Sequence, residues 1–111
     1  QQYAPPQTPP ANTISVFTDG SAIPRKKGQP PPPAGFGFVA VEGGQGSEHR
    51  GGRALFKRAG QIVARSRRYP QVKTTTNNLA ELVAFTEGLD WAFHSWEADG
   101  RPIRVPDHHA V

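Results

Sequence analysis

The sequence predicts an α/β domain in which one helix packs on a mixed sheet. In residues 13–18, Ile14 and Val16 alternate with Ser15 and Phe17, and residues 34–41 place their three phenylalanine and alanine positions 36, 38 and 40 on one face, as strands do. Apolar residues at helical spacing follow Asn78, and Ile103 and Val105 alternate again near the end. This order predicts a three-stranded antiparallel meander, a crossover helix and then a strand parallel to the first.

Length and composition indicate one domain with long irregular segments. The chain has 111 residues, of which 35% are hydrophobic, and it contains 12 glycines and 12 prolines. Residues 1–12 carry four of the prolines and no apolar period, so we expect a disordered lead-in there and the domain at residues 13–111.

Charge and cysteine content restrict the function classes. The net charge of +4 favours a polyanionic partner such as nucleic acid, although an ordinary solubility charge explains it equally. The absence of cysteine excludes disulfides and thiolate metal sites and leaves the compartment open. No apolar run approaches transmembrane length, so we expect no membrane partner.

A long loop is predicted at residues 20–33, where Gly20 is expected to end the first strand. Its prolines 30–33 form either a stiff polyproline II spacer, which we favour, or a peptide-recognition motif. Arg25, Lys26 and Lys27 on the same loop either contact phosphates or form a solvated charge run.

The middle of the chain predicts a hairpin. Residues 42–53 read as a glycine-rich loop, 54–56 as extended, 57–60 as a turn and 61–65 as the returning strand. A basic cluster with one aromatic residue follows, which suits either nucleic acid or a solvated loop. Its members are Arg65, Arg67, Arg68, Tyr69 and Lys73.

The predicted helix begins in the polar run 74–78 and ends near Asp99 and Gly100. Asn78 and Glu81 have the spacing of a capping box. Gly88 in the interior predicts a close contact between helix and sheet. The expected buried face consists of Leu82, Phe85, Leu89, Ala92 or Phe93, and Trp96, widened by Val83, Ala84 and Trp91.

Two acidic residues are the candidates for chemistry. Asp19 follows the first strand, where it serves either a turn or a site, and Glu81 lies in the first helical turn, where helix capping is the alternative role. If the helix covers this strand, the two carboxylates approach and repel unless a cation neutralises them. Mg²⁺ suits such oxygen ligands, and two ions can stabilise the attacking and leaving oxygens of a phosphodiester displacement.

Three motifs in this order resemble the type 1 ribonuclease H family: T-D-G-S at 18–21, G-F-G-F-V at 35–39 and T-N-N-L-A-E-L at 76–82. The third is the most specific, and the resemblance covers residues 13–111. It implies a ribonuclease H-like fold, incomplete at the C-terminus because further family elements would lie beyond residue 111.

By this resemblance Asp19 and Glu81 are catalytic, metal-binding carboxylates for two Mg²⁺ ions, with Mn²⁺ as a possible substitute. A third family carboxylate lies in the strand after the helix, where Asp107 is the candidate and Asp99 a weaker rival. The match departs there, because His108 stands where the family has serine and Pro106 interrupts the strand.

The resemblance also implies nucleic-acid contacts. Asn77 and Asn78 match residues that contact the minor groove of an RNA–DNA hybrid, and helix capping is an alternative role for Asn78. Gly20 allows the backbone to approach an RNA 2′-hydroxyl. Ser21 and Thr76 are expected to contact phosphates.

The expected activity is therefore endonucleolytic, Mg²⁺-dependent hydrolysis of the RNA strand of RNA–DNA hybrids. The alternatives are a non-catalytic module that binds hybrid or RNA, another nuclease or integrase, and a fragment of a longer ribonuclease H or reverse-transcriptase protein.

Overall fold

The computed structural model describes residues 12–43 and 52–106, which form one layer of sheet with a helix packed on it. In chain order the elements are β1 (Ile14–Ala22), β2 (Ala34–Glu42), β3 (Arg53–Ile62), α1 (Asn77–His94), a 3₁₀ helix (Trp96–Ala98) and β4 (Ile103–Arg104).

The four strands form a mixed sheet in the order β3-β2-β1-β4. β1 is antiparallel to β2, with Ala22 opposite Ala34, and β2 is antiparallel to β3. β4 lies parallel to β1, pairing Ile103 with Ile14 and Arg104 with Ser15. The predicted α/β class, the antiparallel meander and the parallel strand after the helix are thus confirmed.

β1 is longer than predicted, because Gly20 does not end it. Asp19 pairs with Gly37, and Ser21 pairs with Gly35, so the ladder continues as far as β2 supplies partners. The predicted loop at residues 20–33 therefore begins only after Ala22.

β3 is one continuous strand, and the hairpin predicted at residues 57–60 is wrong. Lys57 pairs with Val39 and Gly60 with Phe36, so the expected turn lies within the ladder. The register shifts by a bulge between Ala40 and Val41. Pairing along all of β2 is a long-range interaction, and it outweighs the local turn tendency of these residues.

The cap of α1 is Thr76, whose side chain accepts a hydrogen bond from the Leu79 amide at 3.1 Å. The capping box predicted from Asn78 and Glu81 is wrong, since the cap lies two residues earlier. The helix also ends before the predicted position, at His94, and Gly100 takes a positive φ only after the 3₁₀ helix.

The helix packs on the sheet mainly through small residues, and the predicted buried face is confirmed only in part. Ala84, Trp91 and Ala92 are buried as predicted, and Val83 and Leu89 are half-buried. Ala80, Ala84, Gly88, Trp91 and Ala92 are the buried residues of α1. Leu82, Phe85 and Trp96, and Phe93 as the alternative to Ala92, were predicted to be buried and are exposed instead, by 59%, 40%, 85% and 78% respectively.

Gly88 accounts for the close approach of α1 to β1. A Cβ at this position would lie 2.8 Å from Val16 Cγ1 and 3.5 Å from Thr18 Cγ2. The contact predicted between helix and sheet at this glycine is therefore confirmed.

Two apolar clusters hold the helix on the sheet. One joins Ile14, Val16 and Phe38 to Trp91, whose ring stacks on Phe56 at 5.6 Å between centroids. The other lies beneath the start of α1. Its buried members are Ala34, Phe36, Ile62, Ala80 and Ala84. In the part of the chain that is described, no helix has both the length and the apolar character to cross a bilayer.

Glu42 joins three segments at the end of β2. Its carboxylate accepts hydrogen bonds from Arg53 of β3 and, at 2.8 Å, from Arg101 before β4. Arg101 also donates to the Asn12 carbonyl at 2.7 Å. The hydrogen bonds from Arg53 and then Arg101 lower the pKa of Glu42 below its ordinary value of 4.5.

Replacing Glu42 with glutamine should lower stability in a pH-dependent way. Because the folded-state pKa is depressed, the ionised carboxylate contributes its stability in full above about pH 4.5, and this is lost as pH falls through the lower folded pKa. Urea unfolding at neutral and acidic pH should show a difference from wild type that shrinks towards acid. Asp99→Asn, at an exposed turn position, is the control. If the difference in unfolding free energy between Glu42→Gln and wild type were constant with pH, a lowered pKa of Glu42 in the folded state would be contradicted.

Candidate nucleic-acid and metal site at the start of the helix

The T-D-G-S and T-N-N-L-A-E segments meet where β1 passes under the first turn of α1. Gly20 faces the helix, and a Cβ there would lie 2.3 Å from both the backbone carbon and oxygen of Ala80. The same Cβ would lie 2.7 Å from the Glu81 amide nitrogen. Since these neighbours are backbone atoms of a packed helix, only glycine allows this approach.

Asn77 fastens the end of β1 to the start of the helix. Its side-chain Oδ1 accepts a hydrogen bond of 2.7 Å from the Ala22 amide, which lies 55 residues earlier. Asn77 was predicted to contact the minor groove. Its oxygen is engaged within the protein, so the Nδ2 hydrogens are the part of this side chain left to donate to a ligand.

The two preceding threonines extend this connection. Thr75 is buried, and its hydroxyl donates to the Pro32 carbonyl at 2.6 Å. Thr76 caps the helix. Thr75 therefore holds the proline-rich loop, Thr76 caps the helix and Asn77 holds the end of β1. The sequence motif did not predict the roles of Thr75 and Asn77.

Asp19 lies on the sheet face opposite to α1. Val16, Thr18 and Gly20 face the helix, and alternation along the strand directs Asp19 the other way, where it is exposed. Its partner in β2 is Gly37, and the next residue across is Ala59. The carboxylate therefore stands beside small neighbours that leave space for a ligand.

Glu81 lies on the helix side, next to the same point of β1. β4 pairs only with Ile14 and Ser15, so within the described residues no strand covers the β1 edge beside Asp19 and Gly20. The structure thus brings the backbones of the two acidic segments together and directs Asp19 to the opposite face. At that edge, no strand of the described residues lies between the Asp19 face of the sheet and the helix side, where Glu81 lies.

The donor chemistry of this pair suits a hard divalent cation, since Asp19 and Glu81 both offer carboxylate oxygens. Within residues 12–43 and 52–106 no group of three or more His, Asp or Glu side chains is placed to hold a metal ion. Asp107 and His108 lie outside the described residues. Asp99 is exposed, and its amide donates to the Trp96 carbonyl at 3.3 Å in the turn after the 3₁₀ helix.

The other residues predicted to contact nucleic acid differ in whether their side chains are exposed and free of a structural role in the protein. Ser21 is exposed and lies two residues from Asp19 on the same face of β1. Asn78 is exposed in the first turn of α1, whereas the Thr76 side chain is engaged as the cap.

Arg68 belongs to the basic cluster that was predicted as either a nucleic-acid surface or a solvated loop, and its side chain is bound within the protein. It donates to Glu87 at 2.6 Å, and Arg58 donates to the same carboxylate at 3.2 Å. The hydrogen bonds from Arg68 to Glu87 and Tyr69 raise the pKa of the guanidinium above its already high value. Lys26, Lys27, Arg67 and Lys73 are exposed, so they are the better candidates for phosphate contacts.

No family model, curated protein or solved structure matches this chain.

Replacing Gly20 with alanine should destabilise the domain by about 2–3 kcal/mol, since the added methyl overlaps helix backbone that cannot move without breaking the α1 packing. Urea unfolding measures the effect. Gly35→Ala is the matched control, because Gly35 also lies in the sheet and a Cβ there meets nothing within 4 Å. Equal stabilities of the two variants would contradict the close approach at Gly20.

Proposed function

We propose that this chain carries a ribonuclease H-like domain that hydrolyses the RNA strand of RNA–DNA hybrids endonucleolytically in the presence of Mg²⁺. One observation carries the proposal: Gly20 packs on the backbone of Ala80 and Glu81, while Asn77 binds the Ala22 amide. These contacts join the two motifs that are most typical of the family. The order of strands, with β4 parallel to β1, agrees with it.

In this proposal Asp19 and Glu81 hold the divalent ion, with Mg²⁺ as the expected metal and Mn²⁺ as a substitute. Asp107 is the proposed third ligand. When bound, such an ion lowers the pKa of a coordinated water and stabilises charge on the leaving oxygen. The protein's own contribution is to fix the β1 backbone against α1, which restricts the position of both carboxylates.

The residues beside Asp19 supply the proposed recognition of the hybrid. Gly20 adds no side chain, so the strand backbone can approach a sugar, and a 2′-hydroxyl both donates and accepts hydrogen bonds there. The Ser21 hydroxyl lies on the Asp19 face and can donate to a phosphate. Asn78 is exposed beside the helix start and offers an amide to the groove.

Asp19→Asn should reduce Mg²⁺-dependent cleavage of a labelled RNA–DNA hybrid by roughly 10²-fold or more, because an amide is a weaker ligand for a hard cation and cannot neutralise it. Glu81→Gln should have a similar effect. Asp90→Asn, an exposed change on the outer side of α1, is the matched control and should retain activity.

The same assay separates the alternatives. Cleavage by Asp19→Asn at the wild-type rate would refute the site. Hybrid binding without any cleavage would support the non-catalytic module, and cleavage of duplex DNA would indicate another nuclease. Parallel assays of Asp107→Asn and Asp99→Asn identify the third carboxylate, since only the ligand's variant should lose activity.

The two asparagines should behave differently when each is replaced with alanine. Asn77→Ala removes the hydrogen bond to Ala22 and should lower the free energy of unfolding by about 1 kcal/mol. Asn78→Ala should leave stability nearly unchanged, because the side chain is exposed and Thr76 supplies the cap, but it should weaken binding to hybrid. Urea unfolding and fluorescence anisotropy with a labelled hybrid measure the two effects. Unchanged hybrid affinity in Asn78→Ala would remove that residue from the proposed interface.

A further inference from the structure

The proline run at residues 30–33 has a defined conformation and a defined outer side. Each ring fixes its own φ, and each proline also holds the preceding residue in the extended region, so the run is a polyproline II helix. This helix has three residues per turn. Pro30 and Pro33 therefore project from the same side, while Pro31 and Pro32 project from the others.

The exposure of the four rings follows this geometry. Pro30 and Pro33 are exposed, whereas Pro31 and Pro32 are half-buried. The buried Thr75 hydroxyl donates to the Pro32 carbonyl at 2.6 Å, which anchors the inner side of the run to the segment before α1. The domain thus holds the run in place and turns the first and fourth prolines towards solvent.

Positive charge is held at the start of the run. The Gln29 amide donates to the Lys26 carbonyl at 3.1 Å in a turn that requires the positive φ of Gly28. Arg25 closes the turn by donating from Nε to the Gln29 carbonyl at 2.8 Å. Lys26 and Lys27 are exposed on this turn. Residues 27–33 consequently present a cation followed by P-x-x-P.

We infer that this loop is a docking site for an SH3-type domain, one that accepts polyproline II helices in an aromatic-lined groove with acidic residues at one end. The exposed pair Pro30 and Pro33 has the spacing that such grooves read. The charge at the start of the run complements an acidic flank. Because the run is already ordered by its rings and by Thr75, binding requires little further loss of conformational entropy.

The test uses the full 111-residue chain and an isolated SH3 domain that selects K-x-x-P-x-x-P ligands, titrated by isothermal calorimetry. Wild type should bind saturably with one-to-one stoichiometry. Pro30→Ala combined with Pro33→Ala should weaken binding at least tenfold. Pro24→Ala is the matched control, since Pro24 is an exposed proline of the same loop outside the run, and it should bind as wild type does.

Two further measurements examine the anchor and the charge. Thr75→Val removes the hydrogen bond to Pro32 and should weaken binding a fewfold, because the proline run is then held less firmly in its bound conformation. Lys26→Glu with Lys27→Glu should weaken binding several-fold and reduce its salt dependence. Circular dichroism of every variant checks that the domain remains folded.

Three outcomes would overturn the inference: no saturable binding by wild type, equal binding by the Pro30 and Pro33 double variant, or an equal loss in Pro24→Ala. Unchanged SH3 binding by the lysine variant, together with weaker hybrid binding, would assign the cations to phosphate contacts and overturn the charged part of the site. These outcomes are measured by binding and not by cleavage, so they test the docking site separately from the proposed nuclease activity.

Discussion

The arrangement of this domain depends on the direct contact of the first turn of α1 with the backbone of β1. At Gly20 the helix approaches so closely that no side chain fits between the two elements. Gly88 repeats the constraint two turns later against Val16. Two side-chain-free positions on opposite elements therefore set the height of the helix above the sheet, and that height places Glu81 beside the strand that carries Asp19.

Local patterns in the sequence predicted the order of the main elements, and they predicted the buried face of the helix only in part. Alternation along β1 and β2, helical periodicity and the parallel strand after the helix depend on near neighbours or on general connection rules. The buried face of α1 depends on how close the helix sits. Ala80, Ala84, Gly88 and Ala92 recur at every fourth residue, and this row of small side chains was the better signal. Leu82, Phe85 and Phe93 instead lie on the outer face, whereas Trp91 is buried, so the size of the apolar side chains did not distinguish the two faces.

In the candidate site too, features that depend on short sequence motifs could be predicted, and features that depend on residues distant in sequence could not. Asp19 and Glu81 were proposed from short motifs, and the structure brings the backbones of those two motifs together at Gly20. The continuation of β1 past Gly20 was not predicted, because the partners of its last residues are Gly35 in β2 and the Asn77 side chain, which are distant in sequence. The N-cap of α1 was mispredicted for a similar reason, since it is Thr76 and not Asn78. Several polar residues of the run 74–78 can cap a helix, and tertiary contacts select Thr76.

Residues 75–77 contact both surfaces for which functions are proposed, the proline run through Thr75 and the end of β1 through Asn77. Thr75 holds the proline run through a backbone carbonyl, so the rings of Pro30 and Pro33 remain available to a partner. Asn77 holds the end of β1 through its own side-chain oxygen, so Asp19 and Ser21 keep their exposed face. Each of these two connections uses atoms that the proposed ligands do not need, and Lys26 and Lys27 are the exposed side chains for which both a nucleic acid and a docked protein domain would compete.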